Sequence, residues 1–368
     1  MRPRALVSVT NDLATDNRVH RTCMALMEAG YDVLLLGRKL PGSLPLERPY
    51  RTRRMRLLFN KGPLFYAEYN LRLFFFLLFH RATLLVANDL DTLPANYLAK
   101  GGRRLVYDTH EFFTEVPELV ARPRVRAIWL RIERWIFPRL HTIITVNRSI
   151  ADAYRARYGR ELHVVRNIPM KRELGPLPSR AELGLPEDRR ILVLQGAGIN
   201  IDRGAEEAVL AMRELPECLL LIIGGGDAWP VLERMVAEHR SADRVRLMGR
   251  MPYARMMAYT RNADLGLTLD KDTNLNYRFS LPNKLFDYFN AGIPVLATDL
   301  PEVARIVREY DAGVVIRTPT PSDIASAVRH VFSDSARVAA LRRNATFAAR
   351  ELDGEKEMKE LVAVLRKA

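Results

Sequence analysis

Short runs of consecutive apolar residues alternate along this chain with longer segments of helical periodicity, and this alternation limits the folds available to it. The runs of the first half are ALVSV, YDVLLLG, TLLVA, RLVYD and TIITV. Those of the second half are ILVLQ, CLLLII, VRLM, DLGLTL, PVLAT and GVVI. Strands that are apolar on both faces and separated by helices predict a parallel sheet covered on both sides. We therefore expect an α/β protein with two Rossmann-like, doubly wound domains.

A segment rich in proline separates the two series. Residues 169–188 contain four prolines, two glycines and no strand-like run, a composition typical of a linker. We predict an N-terminal domain over residues 1–169, a linker over 170–188 and a C-terminal domain over 189–368, whose last helix could pack back on the N-terminal domain. Ligands of open α/β sheets bind beyond the carboxyl ends of the strands, so two facing domains would form a cleft.

The composition excludes several classes of protein. With 48% hydrophobic residues, the 368-residue chain is too apolar to be disordered. Its two cysteines, Cys23 and Cys218, cannot build a disulfide framework or a four-cysteine zinc site. The longest apolar run, Leu73 to Phe79, is far shorter than the roughly 20 residues of a membrane-spanning helix. We expect a cytoplasmic protein that is neither exported nor transmembrane.

The positive charge is concentrated in the first half. Residues 1–169 carry a net charge of +13 and the remainder +1. From Arg48 to Lys61 the chain has six cations and no acid, and the apolar stretch NLRLFFFLLFHR follows. This asymmetry favours an anionic partner, and the cations suit the anionic surface of a membrane. We interpret Leu71 to Phe79 as buried core, with a membrane-surface site as the alternative. Nucleic acid is the weakest candidate, because the aromatic residues do not interleave with the arginines.

Three segments of the second half offer hydrogen-bond donors to an anion. Gly196-Ala197-Gly198 follows a strand and leads to Arg203, so backbone N–H groups and a cation can converge there. Gly224-Gly225-Gly226 forms a second glycine loop. Ser280-Leu281-Pro282-Asn283-Lys284 begins a helix with free N–H groups and a lysine. A glycine after a strand more often serves a turn, but the three segments together favour a diphosphate ligand.

Polar residues also follow strands of the first half. Asp108, His110 and Glu111 come at the end of RLVYD, where a histidine can orient a hydroxyl or support a charge. A purely structural histidine is the alternative. Because no second His/Cys cluster lies nearby in the sequence, we predict no metal site.

Two further pairs of polar residues have two interpretations each. Asp16 could cap the first helix or, with Arg18, face the acceptor side of the cleft. Asn88 and Asp89 follow TLLVA and could form a turn or contact the acceptor.

The stretch SLPNKLFDYFNAGIPVLATDLPEV at residues 280–303 resembles the donor-site signature of family 4 glycosyltransferases, which are retaining enzymes of the GT-B fold. In that signature a lysine and an acidic residue precede a tyrosine and an AG-x-PV turn. Four more segments are similar to that family in the same order: TNDLATDNRVHRTCMALMEAGYDVLLLGR, ANDLDTLPANYLAK, YDTHEFFTEVPEL and QGAGINIDRGAEEAV.

The resemblance implies that the C-terminal domain binds a nucleotide-diphosphate sugar and that the N-terminal domain holds the acceptor. Arg203 and Lys284 would then neutralise the diphosphate. Asp287 matches the second acid of an E-x7-E motif that holds the ribose hydroxyls. Phe279 stands where the family has the first acid, so a backbone amide from Leu281 to Asn283 would have to take its place.

The same resemblance implies that main-chain groups of Gly249 and Arg250 read the nucleobase. The leaving diphosphate would accept the proton of the acceptor, so positioning and electrostatics would carry most of the catalysis. No cofactor and no metal would be needed beside the nucleotide-diphosphate sugar as co-substrate.

The sequence thus predicts a metal-independent retaining glycosyltransferase of envelope glycan or lipopolysaccharide assembly, with His110, Arg203 and Lys284 as catalytic residues. Its acceptor would be a glycan or a lipid-linked molecule, and the enzyme could bind peripherally to the inner face of the membrane. Two alternatives remain: a nucleotide-sugar epimerase of the same fold, and a degenerate, non-catalytic sugar-nucleotide-binding subunit.

Overall fold

The computed structural model describes residues 2–14 and 16–368, which form two compact units. The first unit comprises Met1–Asn167 with Glu355–Ala368, and the second comprises Ile168–Gly354. The segment 170–188, which we interpreted as a linker, therefore belongs to the second unit. Leu185 is buried there, and Arg180 donates a hydrogen bond of 2.9 Å to the Asp264 carboxylate.

Strands and helices alternate through both units. The strands are β1 (Arg4–Asp12), β2 (Asp32–Arg38), β3 (Arg51–Met55), β4 (Leu84–Asn88), β5 (Arg104–Thr109), β6 (Thr142–Thr145), β7 (His163–Val164), β8 (Arg190–Gly196), β9 (Cys218–Gly224), β10 (Val245–Met248), β11 (Leu265–Thr268), β12 (Val295–Thr298) and β13 (Gly313–Ile316). The helices are α1 (Asn17–Glu28), α2 (Gly62–Phe79), α3 (Leu93–Ala99), α4 (Pro117–Val120), α5 (Pro123–Ile136), α6 (Arg148–Tyr158), α7 (Ala205–Ala211), α8 (Trp229–Glu238), α9 (Tyr253–Arg261), α10 (Leu275–Arg278), α11 (Asn283–Asn290), α12 (Pro301–Glu309), α13 (Pro321–Phe332), α14 (Ser335–Glu351) and α15 (Gly354–Lys367).

Each unit is built around one parallel sheet. Within the described residues the strand orders are β3-β2-β1-β4-β5-β6-β7 and β10-β9-β8-β11-β12-β13. All apolar runs singled out in the sequence form strands, which confirms the predicted fold class. Two edge strands were not predicted. The basic segment of β3 pairs with β2 along one side only and has no apolar pattern, and β7 is two residues long.

Helix α15 completes the core of the first unit. Its residues Leu361, Val362 and Leu365 are buried against β1, β2 and β4. Glu357 of the same helix forms an ion pair of 2.7 Å with Arg166. The end of the chain therefore packs on the N-terminal sheet.

Helix α2 has one buried and one exposed face. Tyr69, Leu73 and Leu77 are buried at a spacing of four residues, whereas Phe74 and Phe76 are half-buried and the opposite face is exposed. Our interpretation of Leu71 to Phe79 as core is therefore only half correct, because the helical period divides this apolar run between two faces. The exposed large side chains of α2 are Leu64, Leu71, Phe75, Leu78 and Phe79. No helix in the described residues has both the length and the apolar character needed to cross a bilayer.

Candidate active-site residues

The two glycine loops of the second unit differ in how much room they leave for a side chain. A Cβ on Gly224 would lie 1.9 Å from the carbonyl oxygen of Gly196, and one on Gly226 would lie 2.2 Å from that of Ile199. These two glycines are therefore required by close backbone packing. A Cβ on Gly196 or Gly198 would meet no atom closer than 3.4 Å. Packing does not explain their lack of a side chain, and Gly196 is partly exposed and Gly198 exposed.

Arg203 and Lys284, both predicted to bind an anion, lie against the same carboxylate. Arg203 Nη1 and Lys284 Nζ are each 3.7 Å from Asp270 Oδ1. Arg203 follows β8 and Asp270 follows β11, and these strands are neighbours in the sheet. We call Arg203, Asp270 and Lys284 the Lys284 cluster. Asp270 was missed in the sequence, although its place directly after an apolar strand obeys the rule that pointed to the other site residues.

The lysine of this cluster is buried. Burial lowers the pKa of the Lys284 ammonium, Asp270 acts in the opposite direction, and Arg203 lowers it further. The guanidinium of Arg203 also stacks over the ring of Tyr277 at 4.6 Å, which orients it. The structure therefore brings two predicted catalytic cations to one partly closed location.

Asp287 faces protein donors on both of its carboxylate oxygens. Tyr253 donates a hydrogen bond of 2.8 Å to Oδ1, and the Gln195 side-chain amide donates one of 3.1 Å to Oδ2. Burial raises the pKa of Asp287 to about 6. Asp287, which we predicted to hold the ribose hydroxyls, therefore lies in a buried hydrogen-bond network. Its two partners come from other parts of the chain, so the sequence offered no sign of them.

The other residues predicted to bind the nucleotide-sugar donor lie in two places. The Arg250 guanidinium donates to the carbonyl oxygen of Ala197 at 3.3 Å, and a Cβ on Gly249 would meet no atom within 4 Å. At the start of α11, Asn283 follows Pro282, Leu281 packs on the core, and the buried Ser280 hydroxyl has no hydrogen-bond partner in the described chain.

In the first unit, His110 lies between two carboxylates where β4 and β5 end. Its Nδ1 is 3.4 Å from Asp89 and its Nε2 is 3.5 Å from Asp108. Asp89 has a left-handed backbone with φ of 59° and accepts a hydrogen bond of 2.8 Å from the His110 amide. Asp108 is also bound by Arg18 at 2.9 Å. We call these four residues the His110 cluster.

The charges of the His110 cluster are set by these contacts. Burial opposes the charge on His110, but Asp89 and Asp108 outweigh it and raise the pKa of the imidazole to about 9. Burial likewise opposes the charge on Asp108, yet Arg18 and His110 hold its pKa well below the usual range. His110 is therefore an imidazolium at neutral pH. A protonated histidine is a hydrogen-bond donor and a fixed positive charge, not a base.

The other predicted acceptor-side residues have defined contacts. Asp16 is the N-cap of α1 and accepts a hydrogen bond of 3.0 Å from the Val19 amide. Arg18 is buried against Asp108 and the Val165 carbonyl, so this geometry favours a role in positioning Asp108. Asn88 is also buried, whereas Glu111 is exposed. Among residues 2–14 and 16–368, no group of three His, Cys, Asp or Glu side chains is arranged to hold a metal ion.

Sequence comparisons assign both halves of the chain. Residues 16–168 match the family Glycosyltransferase Family 4, and residues 178–349 match Glycosyl transferases group 1. Chitobiosyldiphosphodolichol beta-mannosyltransferase of Candida albicans is 28% identical over 85 residues. That alignment covers 23% of this chain and only 18% of the relative.

Solved structures match nearly the whole length of the chain. Sucrose-phosphate synthase from Thermosynechococcus elongatus has a TM-score of 0.81 at 20% identity and covers 100% of this chain and 99% of its own. WaaG, a glycosyltransferase of lipopolysaccharide biosynthesis, has a TM-score of 0.74 at 16% identity, covering 98% and 99%. Anabaena Alr3699/HepE, solved with UDP, has a TM-score of 0.71 at 14% identity, covering 99% and 100%. The chain belongs to the GT-B glycosyltransferases that combine a family 4 N-terminal domain with a group 1 C-terminal domain.

Proposed function

We propose that this protein is a metal-independent, retaining glycosyltransferase whose donor is a nucleotide-diphosphate sugar. The observation that carries the proposal is the Lys284 cluster, in which two cations converge in the group 1 domain. A diphosphate brings two or more negative charges, and hydrogen bonds between charged groups are the strong ones. The accessible backbone at Gly196 and Gly198 adds N–H donors on the loop that leads to Arg203.

The charge state of His110 supports a reaction without a protein base. In the proposed step the acceptor hydroxyl attacks the anomeric carbon while the bond from that carbon to the diphosphate oxygen breaks. The hydroxyl proton passes to the leaving diphosphate on the same face of the sugar. An imidazolium held by Asp89 and Asp108 cannot take that proton, but it can donate a hydrogen bond and stabilise negative charge. The Arg203 and Lys284 side chains stabilise the charge that develops on the leaving group.

The proposed acceptor is a glycan or a lipid-linked molecule of envelope glycan or lipopolysaccharide assembly. WaaG, to which the chain is similar in fold, is involved in lipopolysaccharide biosynthesis, and HepE was solved with UDP and with UDP-glucose. A uridine nucleotide is therefore the first donor to test.

A panel of nucleotide sugars tests the proposed function, with EDTA present throughout. We expect one donor to raise the melting temperature, since a ligand at 100 times its dissociation constant stabilises by about 2.7 kcal/mol. With an acceptor extract, the same donor should yield a glycosylated product with the anomeric configuration of the donor. A product formed without acceptor would indicate the epimerase, and binding without turnover would indicate the non-catalytic subunit. Activity that EDTA abolishes would contradict metal independence.

We also propose that the first unit binds an anionic membrane surface. Strand β3 and helix α2 place arginines beside apolar side chains: the Arg53 guanidinium lies 4.8 Å from the half-buried ring of Phe76, and Leu71 and Phe75 of the same helix are exposed. Arg51 and Arg54 are paired with Asp32 and Asp12, so they contribute less charge. Cationic and apolar groups on one face suit a bilayer interface, where each cation contributes about 1 kcal/mol.

Vesicle sedimentation measures this membrane contact. Replacing Arg53, Arg56 and Lys61 with Gln should abolish sedimentation with anionic vesicles at low salt and leave nucleotide binding intact. The matched control replaces three exposed arginines of the second unit, Arg213, Arg234 and Arg343, and should sediment like the wild type. Salt should release the wild type, because the screening length falls from about 10 Å at 0.1 M to 3 Å at 1 M. Binding that survives 1 M salt would instead point to Leu71 and Phe75.

A further inference from the structure

The carboxylate of Asp270 has an unusual environment. It lies directly beyond β11 and is only 1% exposed. Neither of its oxygens has a hydrogen-bond partner in the described residues, although two cations stand 3.7 Å away. A buried charge without hydrogen bonds is costly unless neighbouring opposite charges compensate it. These contacts therefore indicate that Asp270 acts through its negative charge on the two cations and not through hydrogen bonds.

The negative charge of Asp270 also stabilises the charged forms of Arg203 and Lys284. Lys284 and Arg203 carry like charges, and Lys284 is buried, so its ammonium is disfavoured by both desolvation and repulsion. Asp270 is the group that acts in the opposite direction on Lys284. On the same helix, Asp287 is engaged by Tyr253 and Gln195. Without Asp270, the pKa of the Lys284 ammonium would be lower still, and Lys284 would lose its proton at a lower pH.

We propose that Asp270 is a positioning residue that holds the Lys284 ammonium charged and in place for the donor diphosphate, an inference that rests on the proposed donor site. At 3.7 Å the Lys284–Asp270 contact is an ion pair and longer than a hydrogen bond. The ammonium therefore keeps its N–H donors for the ligand. Asp270 acts through Lys284 and does not itself contact the diphosphate, which it would repel.

The experiment compares the wild type with Asp270→Asn, using UDP as the probe between pH 8 and 9.5. The phosphate groups are fully ionised in this range, since the second pKa of a phosphate is about 6. The uracil N3–H ionises toward its upper end, but it does so for both proteins, so the difference between the two proteins reports Lys284. Calorimetry in buffers of different ionisation enthalpy reports protons taken up on binding. We expect Asp270→Asn to take up close to one proton and to lose up to tenfold in affinity per pH unit. The wild type should take up fewer protons and show a flatter affinity profile.

Two variants serve as controls. Asp272→Asn removes an equal charge two residues away, from an exposed carboxylate that binds Arg278 at 2.8 Å, and should behave like the wild type. Asp270→Glu keeps the charge and should restore the flat profile. A titration of the lysine side chains by ¹³C NMR gives a ligand-free readout, with Lys284 assigned from the difference to Lys284→Arg. The pKa of the Lys284 ammonium should be lower in Asp270→Asn than in the wild type and unchanged in Asp272→Asn and Asp270→Glu.

The outcomes separate this inference from the proposed function. If the pKa of Lys284 is the same in the wild type and Asp270→Asn, the role of Asp270 is refuted, whatever the protein binds. If that pKa falls but UDP affinity has the same pH profile in both proteins, Lys284 does not contact the diphosphate, which overturns the positioning role and the donor site together. If no nucleotide diphosphate binds the wild type, the proposed donor is wrong, while the NMR titration still decides the charge coupling.

Discussion

Alanine at Lys284 or at Arg203 is expected to weaken the binding of a nucleoside diphosphate by about ten- to 150-fold. Each substitution removes a charge-assisted hydrogen bond worth about 1.5 to 3 kcal/mol. The fold should survive either change, because the remaining cation still faces the buried Asp270 carboxylate. Calorimetry with UDP on the folded variants measures the loss.

Lys271→Ala is the matched control for this experiment. Lys271 is the next residue after Asp270, but its ammonium is directed to Asp202 and Glu207. Its removal takes away one positive charge from the same loop and should leave the affinity within about twofold of the wild type. Equal affinity in Lys284→Ala, Arg203→Ala and the wild type would show that the diphosphate binds elsewhere.

The fold was predictable from the sequence because its strands are buried on both faces. Such strands appear as uninterrupted apolar runs, and their helices follow from the intervening periodicity. Strand β3 escaped prediction because it lies at the edge of the sheet, where arginines can remain exposed. The two faces of α2 also could not be assigned, since nearly every residue of this helix is apolar and the periodic signal vanishes.

The sequence singled out Arg203, Lys284 and His110, but it gave neither Asp270 nor the charge states of these groups. The rule that ligands bind beyond strand ends selected His110, and it could have selected Asp270 as well. Lys284 was selected because it lies at the start of a helix with free N–H groups. The imidazolium of His110 depends on Asp89, which is 21 residues away and is brought close by the pairing of β4 with β5. Likewise, the partners of Asp287 lie 34 and 92 residues away in sequence. Contacts of this kind arise from tertiary packing, which no local pattern records.

Asp108→Ala is expected to destabilise the first unit by about 3 to 5 kcal/mol, because it leaves the buried Arg18 and the imidazolium of His110 without their shared carboxylate. Denaturant unfolding measures this loss. Two of the three tryptophans, Trp129 and Trp135, lie in the first unit, so a Trp229→Phe background makes fluorescence report that unit alone. The control, Asp152→Ala, breaks an exposed pair with Arg155 and should cost less than about 1 kcal/mol.

The pH dependence of stability provides an independent test of the same cluster. The pKa of His110 is raised from 6.5 to about 9 in the folded protein, so the folded state binds one more proton than the unfolded state between these values. The stabilisation from His110 is therefore fully present below pH 6.5 and is lost as the pH rises through 9. Since each pKa unit corresponds to 1.36 kcal/mol, the difference in unfolding free energy between the wild type and His110→Gln should shrink by about 3 kcal/mol from pH 6 to 9.5. A difference that is constant over this range would mean that His110 is neutral in the folded protein, and the imidazolium could then no longer account for catalysis without a protein base.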